Sequence, residues 1–139
     1  MSGIFEGLEV RLSRDGIFVP GFMVVCNKDI ITKRGIEGAP DLVVEIPSPS
    51  TAKRDKIQKK NAYEKAGVKE YWLVNIDSKS IEVYWLQDDK FVLNNLYIIP
   101  PDMDIEEMTE GELAKIVYEF KTSLFDDFVI DIREVFEDI

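Results

Sequence analysis

The sequence predicts an α/β domain in which a mixed sheet is covered by helices, and three features carry that reading. The segment DLVVEI is nearly continuous in apolar character, as a central strand covered on both faces is. A well-delimited helical stretch follows it, and two aromatic strands, KEYWLVN and SIEVYWL, come directly after. The size and composition agree: 139 residues with 45% apolar, 11% aromatic and 32% charged side chains suit one folded domain spanning residues 1–139 and not a disordered chain.

In chain order, GLEVRL and FVPGFMVVC are short, rich in β-branched and aromatic residues and bounded by Gly or Asp, so they read as strands joined in a hairpin around Arg14-Asp15-Gly16. Cys26 ends the second apolar run and reads as a buried, inert thiol, and as the sole cysteine it has no disulfide partner in the chain. DLVVEI follows, and Glu45 within it is unexpected in so apolar a strand. Ser48-Pro49 offers an N-cap and a first-turn proline, while Gly67 supplies a stop, so the helix runs from about residue 50 to 66. The two aromatic strands are separated by Ile76-Asp77-Ser78-Lys79, and a turn at Asp88-Asp89 leads into FVLNNLYII, which makes a meander. A strand around Lys115 to Lys121 and a short helix near Asp131 to Glu137 complete the plan.

Composition removes whole classes of chemistry. Histidine is absent, so triads built on histidine, the common zinc sites and histidine bases are all excluded. Carboxylates, lysines and tyrosines remain. The net charge of −10 disfavours non-specific DNA binding, which rests on lysine and arginine neutralising phosphates, so a nucleic-acid surface must be local. One such surface exists: Thr51 to Lys69 holds seven cations against Asp55 and Glu64, whereas Asp102 to Glu112 and the stretch from Asp126 to Ile139 are acidic. The N-terminal stretch lacks an apolar run of signal-peptide length and no segment approaches the roughly 20 apolar residues of a membrane span, so a cytoplasmic protein with no membrane partner is expected.

Within the helix, Ala52, Asp55, Lys59, Ala62, Tyr63 and Ala66 fall on one stripe, which small and aromatic residues mark as the face packed on the sheet. The other lysines are expected to point to water. Asp55 and Lys59 form either an ordinary helix ion pair, worth a few tenths of a kcal/mol, or part of a site in which Lys59 meets Glu45. In that second arrangement a carboxylate holds a divalent cation and an ammonium steadies a phosphate or the attacking water. The test between them is spatial: Glu45 and Lys59 must reach each other in a groove.

The run GIEGAPDLVVEIPSPSTAKRDKIQKKNAYEKAGVKEYWLVN, with SIEVYWL and FDDFVIDIREVF beyond it, resembles the Uma-two family of restriction endonucleases within the PD-(D/E)XK nuclease superfamily. The resemblance implies a restriction-endonuclease-like mixed β-sheet core with flanking helices, and DNA phosphodiester hydrolysis with Mg²⁺ as cofactor. It places Glu45 as the catalytic metal ligand and Lys59, from the helix, as the catalytic lysine, since the superfamily's usual lysine position falls on Pro47. The family's second metal-binding aspartate matches Gly21, which has no side-chain oxygen, so the implied nuclease is impaired or inactive. Asp41 shares a strand face with Glu45 but sits four residues away, about 13 Å, against ligand distances of about 2.1 Å. The family's first helix and strands have no counterpart before residue 1, which implies an exposed edge or apolar surface and a homodimer. The alternative is a non-catalytic domain that keeps the fold and binds DNA, through the basic helix 51–69, or a partner protein; in the blandest form of it that helix is only a solvated face.

Overall fold

The computed structural model describes residues 3–12, 16–48, 53–126 and 128–137. The chain runs through β1 (Gly3–Phe5), β2 (Val10–Leu12), β3 (Gly16–Phe18), β4 (Phe22–Val25), β5 (Ile31–Thr32), β6 (Gly35–Glu37) and β7 (Leu42–Glu45) to helix α1 (Lys53–Ala66). The meander β8 (Glu70–Asn75), β9 (Ser80–Gln87) and β10 (Lys90–Ile98) follows. Two short helices, α2 (Asp102–Glu107) and α3 (Glu110–Leu113), precede β11 (Glu119–Lys121), β12 (Val129–Asp131) and α4 (Ile132–Glu137).

The main sheet has the order β1-β4-β7-β8-β9-β10, beside a four-stranded sheet β3-β2-β6-β5 and the pair β11-β12. β7 lies inside the main sheet, antiparallel to β4 and parallel to β8, and α1 is the crossover that a parallel pair requires. All four β7 residues are buried. Val43 joins the core beneath α1 with Tyr63 and Tyr71, whereas Leu42 and Val44 join the opposite core with Trp72, Ile81, Phe120, Ile132 and Phe136. A strand with a core on each face has no place for alternation, which is why DLVVEI reads as a continuous apolar run.

Both predicted punctuation marks work through backbone geometry. Gly67 has φ +91°, and its N–H and that of Val68 close onto the carbonyls of Glu64 and Tyr63, each at 3.1 Å, a left-handed helix stop. Asp88 and Asp89 have φ of 50° and 64°, the double positive φ of a two-residue hairpin turn. The first-turn proline Pro49 and the turn residues Arg14 and Asp15 lie outside the described residues.

Several expectations need correction. GLEVRL narrows to Val10–Leu12, and its hairpin partner is Gly16–Phe18. Pro20 has no N–H to donate and lies between β3 and β4, so the run FVPGFMVVC splits: β4 leaves that hairpin and enters the main sheet between β1 and β7. The strand expected at 115–121 begins only at Glu119, and the acidic stretch before it forms α2 and α3. Acids suit helix N-terminal turns, and Thr109 caps α3 by accepting the Glu112 N–H at 3.2 Å. Cys26 is exposed, because β4 ends at Val25 and the chain turns out of the sheet. No helix among the described residues is long and apolar enough to cross a membrane.

Candidate active site

Glu45 closes β7 on the face that carries α1, with only 8% of its surface exposed. On α1, Lys59 and Tyr63 are four residues apart and so share one side of the helix. Tyr63 is fully buried, its ring between Phe18 and Tyr71 at centroid distances of 5.5 and 5.8 Å. From there its hydroxyl donates to Glu45 Oε1 at 2.9 Å, while Lys59 Nζ stands 3.7 Å from Glu45 Oε2. The carboxylate thus has a different partner on each oxygen. A cleft of 190 Å³ opens over the group, and Lys56, Tyr71, Leu73 and the chain leaving β7 complete its lining.

The helix stripe needs revision around this centre. Asp55 is exposed and is not Lys59's partner; the inward side of α1 is set by Lys59, Ala62, Tyr63 and Ala66. Lys60 is also not a free surface cation, because its ammonium lies 3.7 Å from the centroid of the Tyr84 ring, a cation–π contact. Tyr84 in turn donates to Glu82 Oε1 at 2.6 Å. By spacing alone Tyr63 reads as a packing residue, and its position one turn beyond Lys59 is the signal for the hydrogen bond.

Burial pushes the Glu45 carboxyl above the usual glutamate range, and the charge of Lys59 and the Tyr63 hydrogen bond counter part of that rise. Tyr63 and Tyr71 are held well above the usual phenol range, first by burial and then by the Glu45 charge. Tyr63 therefore remains a neutral donor at ordinary pH. Because folding raises the Glu45 pKa, the folded state holds this proton more tightly than the unfolded chain does. Its contribution to stability is then full below the ordinary glutamate range and is lost as pH rises through the folded value. Glu45→Gln is accordingly expected to melt above the wild type near pH 8, with the gap closing below about pH 4, as followed by circular dichroism melts across pH. A variant that melts below the wild type at pH 8 would mean that the Lys59 pair outweighs the burial of the charge.

Gly21 immediately precedes β4. Phe22 pairs with Val44, so one further step along that register sets Gly21 beside Glu45. A Cβ on Gly21 would lie 3.1 Å from the Val44 carbonyl oxygen and 3.7 Å from the Ile46 side chain. Asp41 is committed at the other end of β7, accepting the Cys26 N–H at 2.6 Å and pairing with Lys69 Nζ at 3.3 Å. Among the described residues no group of three acidic or cysteine side chains converges to hold a metal ion. Among the described residues lining the cleft, Glu45 is the one that carries a carboxylate. One carboxylate already engaged by Tyr63 and Lys59 does not fit a resident Mg²⁺.

A larger cavity of 570 Å³ lies on the opposite face of the sheet, against the segment that carries β12 and α4. Its lining is apolar apart from Thr122 and Glu134, so the groups capable of chemistry converge in the smaller cleft.

Residues 3–113 match the model of the Uma-two family, described as putative restriction endonuclease. This chain belongs to the Uma-two family. A putative nuclease belonging to DUF820 from Anabaena variabilis has a similar fold, with TM-score 0.67 and 19% sequence identity over 98% of this chain and 68% of that one. No curated protein matches the chain. The matched span of the Uma-two model takes in β1 to α3, and so includes Gly21, Glu45, Lys59 and Tyr63 together.

Proposed function

We propose that this Uma-two member grips the phosphodiester backbone of DNA along α1 and presents Glu45 and Lys59 to it, with Mg²⁺-dependent hydrolysis weakened or lost at Gly21. The observation that supports this reading most is the pairing of Lys59 with Glu45 inside a cleft at a basic helix. α1 carries six cations against Asp55 and Glu64, which gives an acidic protein one surface suited to phosphates. Lys53, Arg54 and Lys65 border an open groove on its outer side, and Lys56 and Lys59 border the cleft.

Each residue then has a distinct task. Lys59, with 36% of its side chain exposed, can exchange its long contact with Glu45 for a phosphate oxygen. Tyr63 fixes the carboxylate so that it stays beside that ammonium. With Glu45 as its single carboxylate for a divalent ion, this site offers DNA binding ahead of cleavage.

Fluorescence anisotropy with a labelled duplex tests the reading in EDTA. Binding is expected at low salt, with the affinity falling steeply as salt rises. In Lys53→Ala/Arg54→Ala/Lys56→Ala the slope of log K against log salt should fall by about 2 to 3, since each lost phosphate contact removes about 0.9. An unchanged slope, or no binding by the wild type at about 50 mM salt, would defeat the proposal.

A further inference from the structure

We propose that β10 is the contact through which two copies of this chain associate, packed antiparallel about a two-fold axis. β10 forms one edge of the main sheet and runs for nine residues, whereas the opposite edge, β1, has three. From Phe91 to Pro101 no residue carries a charge, in a chain with 32% charged residues and a net charge of −10. Two copies repel each other over most of such a surface, and least here.

The strand is apolar where it is exposed. Val92, Leu93, Leu96 and Ile98 keep between 44% and 50% of their surface in solvent. A register shift between Leu93 and Asn95 keeps Leu93 and Leu96 on the same face, opposite Tyr84 and Glu82, with Ile98 opposite Ser80. The three make a ridge on the helix-bearing side of the sheet. Charge and proline, the usual means of blunting an edge, are missing from it.

The backbone decides the kind of contact. The Phe91 N–H donates to Glu64 Oε2 and the Leu96 N–H to Asn95 Oδ1, each at 2.8 Å, so these two donors are not open to another strand. Side-chain packing across the two-fold is therefore the bond between copies, and not a continued sheet. Polarity decides the direction. Lys90 begins the strand with 77% of its side chain exposed and a long contact, 3.9 Å, to Glu64 Oε1 of its own chain that it can exchange, and the acids Asp102 and Asp104 of α2 follow its end. Antiparallel packing sets each Lys90 beside the partner's α2, and the isologous arrangement closes at two copies. Parallel packing would set acid against acid.

Sedimentation velocity over a concentration series tests this on the intact chain. The wild type should be a dimer at about 100 µM, with a Kd on the order of micromolar, and Leu93→Lys/Leu96→Lys should remain monomeric at that concentration. Both positions are exposed, so unchanged circular dichroism and melting are expected; Ile98→Lys repeats the test should the double variant fold poorly. Phe22→Lys, on the apolar cavity of the far face, should leave the dimer intact. A monomeric wild type, a dimer that persists in the folded β10 variants, or a dimer lost only in Phe22→Lys would overturn the proposal.

Discussion

Glu70→Ala is expected to lower the free energy of unfolding by about 3 to 4 kcal/mol. Glu70 is fully buried and accepts three hydrogen bonds: from Trp72 Nε1 at 2.5 Å, from the Ser123 N–H at 2.7 Å and from the Ser123 hydroxyl at 2.5 Å. Truncation strands all three donors, and a buried polar group without a partner costs about 1 to 3 kcal/mol. It also leaves a void beside the packed Trp72 and Phe120 rings. Because Ser123 lies 53 residues further along the chain, this carboxylate fastens the segment between β11 and β12 onto the sheet. Glu70→Gln should lose roughly half as much, about 2 kcal/mol, since its amide oxygen can still accept while its NH₂ opposes a donor. Urea denaturation checks both variants, and a loss below about 1 kcal/mol for Glu70→Ala would show that solvent reaches these donors on truncation.

Gly21→Asp is expected to tighten Mn²⁺ binding by about ten-fold or more, because a second carboxylate beside Glu45 supplies the charge that a hard divalent ion requires. Phe22 pairs with Val44, and continuing that ladder by one residue would bring residue 21 next to Glu45, across a strand pair whose Cα atoms lie about 4.5 to 5.5 Å apart. The new side chain must win space, since its Cβ meets the Val44 carbonyl oxygen at 3.1 Å, so the backbone there shifts by a few tenths of an ångström. A modest cost in stability should therefore accompany the gain in affinity. Calorimetry with Mn²⁺ and plasmid nicking in the same samples follow the outcome. Gly21→Asp/Glu45→Ala should lose the gain, and if it keeps the gain, Glu45 is not the partner ligand.

Much of this arrangement is legible in the sequence, because the parts that carry it are local. An apolar run too regular for a one-sided strand marks β7, the glycine after Ala66 marks the end of α1, and Asp88-Asp89 marks the hairpin. Glu45 stands out as an acid in a run that should have none, and Lys59 as a cation on the packed side of a helix. What local pattern cannot show depends on register and distance. Pro20 looks like one residue in a strand, yet it separates β3 from β4 and sends them to different sheets. Tyr63 has the same spacing whether its hydroxyl meets a carboxylate or water. Asp55 fits the stripe by number but faces out, because the helix packs through the side that brings Lys59 and Tyr63 to Glu45. The clasp between Glu70 and Ser123 joins segments 53 residues apart, and no periodicity reports it.

On the proposed reading, Glu45 and Lys59 remain as a phosphate-facing pair while the metal site is incomplete at Gly21. Isothermal calorimetry of the wild type with Mn²⁺, run beside Glu45→Ala, tests it most directly. The expected result is no binding tighter than about 1 mM in either protein. Binding in the micromolar range by the wild type that disappears in Glu45→Ala would contradict the claim, and would mean that Glu45 completes a metal site without a carboxylate at position 21.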